Sequence, residues 1–553
     1  MAFFNSNKKF YIIAGIFILA IFLLSISPIS DYDTGYHLQT GKYIVEHKVV
    51  PLYDIFSYTA QGVRWIAHYW LSDVIFYLVY LFSGYWGLII FVALISTLTY
   101  FFVFKVTWLR AGKTILPMIL LVLFAYLSLE LWVVRPQIFS YFLAIVTVYI
   151  LEKWRISKNI KYLYWIPFLF LVWANLHAGV ILGIALFALY CAGEGLNQKS
   201  LKLIKTPIVL FVISFLMTFL NPNGYKVIDY LQIISPSIQR MNIIEWQSLL
   251  YYSSMWQTKA MIVLMAISFI FIWWRELDKE KGFFKTDWIS LGLVTGSIIM
   301  PIVSMRHIIF FSILALPVIS SYLVEYLSEK NVKIENIRFV FPLAILLGAV
   351  LIAAPILRFG RMPEIADPRL PENASNFIKE NNLPKQIFNS QFFGGYLIWK
   401  LWPEYQVFID GRSEVFEGSA NNDYINIAYR RDDWKNLIDN KYKIQTIILG
   451  YPFSGGVDAK SFLTDVTQKD DFVLVYFDDG SMIFVKNNPQ NQDIIKKFGY
   501  QIINPYNINF DSIPKDKLNQ AFEESKRALS ESPNSLVAFY INKALSIKLG
   551  IKN

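Results

Sequence analysis

Apolar runs of membrane-spanning length fill the chain up to residue 356 and stop there. A spanning helix needs about 20 predominantly apolar residues, with roughly 17–25 tolerated. Twelve segments approach this: 10–27, 68–83, 85–104, 114–131, 136–151, 161–176, 179–195, 206–220, 258–274, 287–303, 307–324 and 339–356. Of 553 residues, 55% are hydrophobic and 17% charged, against about 25% charged in a typical soluble domain. This excludes a disordered chain, a coiled coil and an ordinary soluble enzyme. The expected fold is mainly α: a polytopic transmembrane helical bundle, then a C-terminal extracytoplasmic α/β domain, then a short helical hairpin. The expected boundaries are 1–356, 357–510 and 511–553.

The formal net charge is +10. The basic residues sit in clusters between apolar runs, so positive-inside sorting explains them and nucleic acid is not an expected partner. Lys8/Lys9, Lys105/Arg110/Lys113, Lys153/Arg155/Lys158/Lys161 and Lys199/Lys202/Lys205 are expected on the cytoplasmic side. Lys8 and Lys9 before 10–27 imitate a signal peptide, but Pro28 follows the small residues Ser25 to Ser27 and disfavours cleavage, so an uncleaved first helix is expected. Segment 68–83 is short, opens with His68 and carries Asp73, and is expected as a juxtamembrane or re-entrant helix. The count is then eleven crossings, or thirteen if one more is present, with the N-terminus inside and the C-terminal domain outside a cytoplasmic membrane. Cys191 is the only cysteine, so there is no intrachain disulfide.

With that sidedness, unusual polar residues collect on one face: Arg135-Pro136-Gln137, Asn175-Leu176-His177, the loop 221–257 and Met305-Arg306-His307. The first outer loop carries Asp31, Asp33, His37 and Asp54. Helical spacing of Tyr36, Thr40, Tyr43, Ile44 and His47 predicts an amphipathic helix over 34–47, lying on the membrane, with Asp33 at its N-cap. Asp33 reads equally as a helix cap and as a general base toward an acceptor hydroxyl. Asp31, two residues earlier, points the same way in an extended strand.

Asp31-x-Asp33, His37-Leu38, Gly41, Pro51, Asp54 and Trp70-Leu71 together resemble the polytopic glycosyltransferases of the GT-C superfamily. Arg135-Pro136-Gln137, Trp173-Ala-Asn175-Leu-His177, Asn221-Pro222-Asn223-Gly224, Glu245-Trp246, Arg306-His307, Gly394-Gly395-Tyr396 and Asp410-Gly411-Arg412 extend the resemblance to about residue 490. It implies an enzyme that takes sugar from a polyprenyl-phosphate-linked donor and transfers it on the extracytoplasmic side, usually with inversion, to a glycan, lipid or protein of the cell envelope. It implies a catalytic acid in the first outer loop and leaves Asp31 and Asp33 both open, with Asp54 as a third candidate. Arg135, Arg306, His307 and His37 are the candidates for donor phosphate; a cation there also stabilises the leaving phosphate. Snorkelling arginines are the bland alternative. Asn175, His177 and Glu245 are expected to support the site from behind. A divalent cation on Asp31, Asp33 and His37 is an open cofactor question, while a nucleotide cofactor has no motif here.

Beyond residue 357, strands are expected at 386–389, 406–409, 446–449, 472–477 and 481–486, with helices at 371–382, 392–401, 422–440 and 460–468. Ala521, Ala528, Pro533, Ala538 and Ala544 resemble part of a tetratricopeptide hairpin, a place for a protein partner. The rival functions are a lipid or glycan transporter and a non-catalytic membrane scaffold.

Overall fold

The computed structural model describes residues 7–112, 114–198, 201–227, 246–251, 256–278, 286–332, 370–431, 433–450, 471–506 and 508–551. The expected span 339–356, the expected helix 460–468 and Glu245 lie outside the described residues. The chain forms two compact units, Met1–Ile29 with Ala67–Ile365, and Ser30–Ile66 with Ala366–Asn553. The sequence reading had left residues 30–66 with the membrane bundle; here they cluster with the C-terminal residues.

The first unit is helical: α1 (Asn7–Leu24), α3 (Trp70–Ala111), α4 (Leu116–Leu127), α5 (Gln137–Ser157), α6 (Ile166–Leu176), α7 (Val180–Gln198), α8 (Leu201–Met217), α9 (Trp256–Asp278), α10 (Trp288–Val303) and α11 (Leu316–Glu329). Helix α2 belongs to the second unit. Among the described residues, Trp70–Ala111, Thr258–Leu277 and Met305–Glu329 are long and apolar enough to cross a membrane. Segment 68–83 is the first of two helices that meet within α3. Helix α3 is broken at Gly84, whose φ of 60° and ψ of −154° are open to a residue without Cβ.

Ends of α3, α5, α7 and α10 are tied by charge. Glu152 accepts from Arg110 at 2.6 Å and from the Tyr190 hydroxyl at 2.7 Å. Arg155 reaches Asp287 at 2.8 Å, and Lys158 reaches Glu194 at 2.5 Å. Glu152 and Glu194 are each 2% exposed, so each carboxylate needs these partners.

The second unit holds a four-stranded sheet in the order β1-β2-β4-β3, from β1 (Ile387–Asn389), β2 (Thr446–Gly450), β3 (Phe472–Phe477) and β4 (Ser481–Lys486). The β1–β2 pair is parallel and the others antiparallel. Its helices are α2 (Thr34–His47), α12 (Glu372–Glu380), α13 (Gly394–Leu401), α14 (Ser419–Ala428), α15 (Gln492–Phe498), α16 (Leu518–Glu531) and α17 (Leu536–Lys548). Residues 406–409, expected as a strand, form no strand. Instead the Val407 carbonyl accepts from the Tyr58 N–H, and the Val407 N–H donates to the Phe56 carbonyl. The first loop thus runs along the C-terminal segment, which takes up the hydrogen bonds a sheet would have used.

Helix α2 forms over the expected residues 34–47 and packs on α13. A Cβ on Gly35 would overlap the Gly395 carbonyl, and one on Gly395 would meet the Tyr32 carbonyl at 2.6 Å. Glycine at both positions permits this backbone approach.

The tail is not set apart from the α/β fold. Glu524 accepts the N–H groups of Gln501, Ile502 and Ile503 at 3.0–3.1 Å. Asp479, in the β3–β4 turn, accepts from Ser535, Leu536 and Val537 at 2.8–2.9 Å, capping α17. Glu524→Ala strands three donors and is expected to cost about 3 kcal/mol. Thermal melting of the full chain in detergent checks this; an unchanged midpoint would show that the tail contributes nothing to the unit.

Candidate active site

Three motifs far apart in sequence meet in the second unit. Asp33 occupies the N-cap position of α2, yet its side chain makes no cap hydrogen bond. Asp31 shapes the turn instead, its Oδ1 accepting the Asp33 N–H at 3.0 Å. The Asp33 carboxylate lies against Gly411, where any Cβ would overlap Oδ1. Gly394, on the other side, abuts the Ile409 carbonyl and Asp410 as closely. Asp31-x-Asp33, Gly394-Gly395 and Asp410-Gly411-Arg412 therefore make one cluster. His37, one turn on, is 2% exposed and lies 4.2 Å from the Tyr36 ring, centroid to centroid.

Asp54 is placed differently from the other two acids. Its carboxylate accepts from the Phe56 N–H at 3.2 Å, the Ser57 N–H at 3.0 Å, the Ser57 hydroxyl at 2.6 Å and Arg412 Nη2 at 2.8 Å. It is 1% exposed. Four donors and burial fit an anchor. Arg412 is also held by Asp410, through Nε at 2.9 Å and Nη2 at 2.6 Å, with its guanidinium carbon 4.5 Å from the Trp65 ring centre. Burial pushes the nearby Glu414 carboxyl up to about 7, against the lowering effect of its backbone hydrogen bond and of Arg412.

The first unit carries a cavity of about 420 Å³ where α5, α7 and the turn before α11 meet. Its polar lining is Gln137, Ser140, His177, Trp246, Arg306 and His307, and the rest is mostly apolar. Arg306 donates to Gln137 Oε1 at 2.9 Å and lies 4.5 Å from the Trp246 ring centre. Ser140 Oγ accepts from Trp173 Nε1 at 2.7 Å and is 2.7 Å from His177 Nδ1. The Gly179 N–H donates to the same Nδ1 at 3.0 Å. Burial, followed by the charges of His68, Arg306 and His307, holds His177 well below the ordinary imidazole value.

Of the phosphate candidates, Arg306 and His307 line this cavity and Arg135 does not. His37 belongs to the other unit. Asn175 accepts from Trp70 Nε1 at 2.9 Å and donates to the Leu171 and Leu220 carbonyls, which fixes the start of α3. The cavity and the ion-pair network occupy opposite ends of α5, α7 and α10. Among the described residues, no group of three or more His, Cys, Asp or Glu side chains is placed to hold a metal ion, so Asp31, Asp33 and His37 do not converge as a ligand set. Ser140 had drawn no notice in the sequence. Its signal was a hydroxyl inside an apolar run, one helical turn after Gln137 and so on the same face.

No protein-family model and no curated protein matches the chain. Solved structures do. The archaeal oligosaccharyltransferase AglB from Archaeoglobus fulgidus, in complex with an inhibitory peptide and a dolichol-phosphate, aligns at TM-score 0.53 and 11% identity, over 98% of this chain and 86% of that one. The apo form of an Archaeoglobus fulgidus oligosaccharyltransferase aligns at TM-score 0.57 and 10% identity, over 99% and 87%. ArnT from Cupriavidus metallidurans, bound to undecaprenyl phosphate, aligns at TM-score 0.47 and 11% identity, over 87% and 98%. The chain shares its fold with the two Archaeoglobus fulgidus oligosaccharyltransferase structures.

Arg412→Gln would leave Asp54 and Asp410 as buried carboxylates with their countercharge removed. It is expected to cost about 3–5 kcal/mol, read as a lower melting midpoint of the full chain. Retention of the wild-type midpoint would mean that the three-residue cluster does not hold the unit together.

Proposed function

We propose that this chain is an integral-membrane glycosyltransferase. It moves a sugar from a polyprenyl-phosphate-linked donor to an acceptor on the outer face of the cytoplasmic membrane, with Asp33 as general base. The acceptor oxygen attacks the anomeric carbon, the bond from that carbon to the lipid phosphate oxygen breaks, and the acceptor proton passes to Asp33. The lipid phosphate leaves as an anion, and inversion follows from attack on the opposite face.

The observation that carries this reading is the placement of the Asp33 carboxylate against Gly411 while Asp31 performs the local turn bonding. A capping aspartate would direct its oxygens into the first turn of its helix. Asp31 is in this account a positioning residue. Arg306, braced by Gln137 and Trp246, and His307 beside it supply positive charge toward a lipid phosphate. The oligosaccharyltransferase fold supports glycosyl transfer as the class of reaction. Membrane lipids surround the helical unit, and the acceptor is a glycan, lipid or protein.

Sidedness has a second support besides charge. Residues 30–66 and 366–553 belong to one compact unit, which supports the reading that both stretches lie on one side of the membrane. The chain between them then crosses an even number of times, and with α1 the total is odd, as eleven or thirteen requires. Alkaline phosphatase fused after residue 551 is expected to be active and a fusion at residue 157 inactive; the reverse pattern would overturn outer-face transfer.

Asp33→Asn keeps shape and removes the base, so turnover is expected to fall about 10²–10⁴-fold. Asp33→Ala is expected to melt like Asp33→Asn, because the side chain does no capping. Turnover and melting of both variants, purified in detergent, check this. A fully active Asp33→Asn would remove the base assignment, and a selective loss of stability in Asp33→Ala would return Asp33 to the role of a cap.

A further inference from the structure

We infer that His177 is locked as a neutral imidazole that presents its Nε2–H to the cavity, as an uncharged hydrogen-bond donor beside the Arg306 cation. The argument is donor bookkeeping. The Trp173 indole can only donate, so Ser140 Oγ, 2.7 Å away, accepts that bond. Its own proton is then directed to His177 Nδ1 at 2.7 Å. The Gly179 backbone N–H can only donate, and it points at the same Nδ1 from 3.0 Å. With two donors converging on it, Nδ1 carries no proton, and the ring proton of the neutral form sits on Nε2.

Protonating the ring would set an Nδ1–H against the Gly179 N–H and turn the Ser140 proton away from His177. His68, with its ring centre 6.0 Å from that of His177, and the cavity-lining Arg306 and His307 are the titratable and charged groups facing it, and each opposes a further positive charge. Gly179 is part of the device, since a Cβ there would overlap Ser140 Oγ and meet His177 Nδ1 at 2.8 Å. Among the described residues no hydrogen-bond partner meets Nε2, and His177 lines the cavity.

An uncharged donor discriminates differently from a second cation. It holds a phosphate oxygen or a sugar hydroxyl without raising the charge of the cavity, and it does so at any pH in which the lock survives. Its use on a lipid-linked phosphate rests on the function proposed above; the tautomer itself does not.

The chain has five histidines, few enough to resolve by nitrogen-15 labelling of histidine in the full-length protein in detergent, with His177→Gln giving the assignment. The expected signal is a single Nε2–H tautomer that persists from about pH 8 to about pH 5, through the range where an ordinary imidazole titrates. Ser140→Ala and Trp173→Phe each loosen the lock, and in either one His177 is expected to titrate closer to the ordinary range. A polyprenyl phosphate is expected to shift the Nε2 signal, and inorganic phosphate at the same concentration separates a headgroup effect from one that needs the lipid. A His177 in the wild type that titrates near 6.5, or that carries its proton on Nδ1, overturns the lock. A locked His177 that neither phosphate perturbs overturns the donor role, and does so without bearing on turnover by Asp33.

Discussion

Arg412 is the point on which the second unit turns. Its guanidinium is 1% exposed and lies between Asp54, from the first loop, and Asp410, from the segment after α13. Burying an arginine with two carboxylates is unfavourable unless the geometry is tight, and removing one member is costly because the others remain charged. The cluster therefore acts as a register pin more than as a store of stability. It holds residues 53–59 beside residues 406–409, and the same turn carries Gly411 to the Asp33 carboxylate. The Asp33 carboxylate thus rests on a glycine flanked on both sides by members of the ion cluster.

The two polar systems of the helical unit divide their work by position. At one end of α5, α7 and α10, acids and bases neutralise each other, and Glu152 alone ties three other side chains. At the other end the cavity keeps Arg306 at its wall, braced by a neutral amide and an indole face with no carboxylate among its lining residues. A cation balanced in this way retains its attraction for an incoming anion, whereas one paired with a carboxylate would have spent it.

Much of this was legible in the sequence, with limits that have physical causes. Apolar runs announced the helical unit because bilayer thickness imposes a length. Strands β3 and β4 were legible at 472–477 and 481–486, because a hairpin is a local structure. Residues 406–409 were misread because β-rich composition reports half-buried extended chain and cannot say whether the partner is a sheet or a loop from the other end of the molecule. The membership of residues 30–66 was hidden for the same reason: Asp54 and Arg412 are an ion pair only in three dimensions. Asp33 at an N-cap position was readable, but the absence of a side-chain cap and the turn bond made by Asp31 were not, since both acids fit the pattern. Ser140 was passed over because a hydroxyl in an apolar helix more often bonds its own backbone, as Thr147 does with Leu143.

The split construction of the second unit sets an order of events during synthesis. Thr59 is hydrogen-bonded to Phe408, 349 residues later. At roughly 5–20 residues per second, the first loop waits roughly 17–70 seconds for its partner to be made. During that interval Asp54 has no Arg412 and the glycine face of α2 has nothing to cover it. The loop cannot complete its contacts early; it closes only after the whole helical unit and the C-terminal segment have been synthesised. Completion of the first loop is thus a built-in report that the chain has been made as far as Phe408.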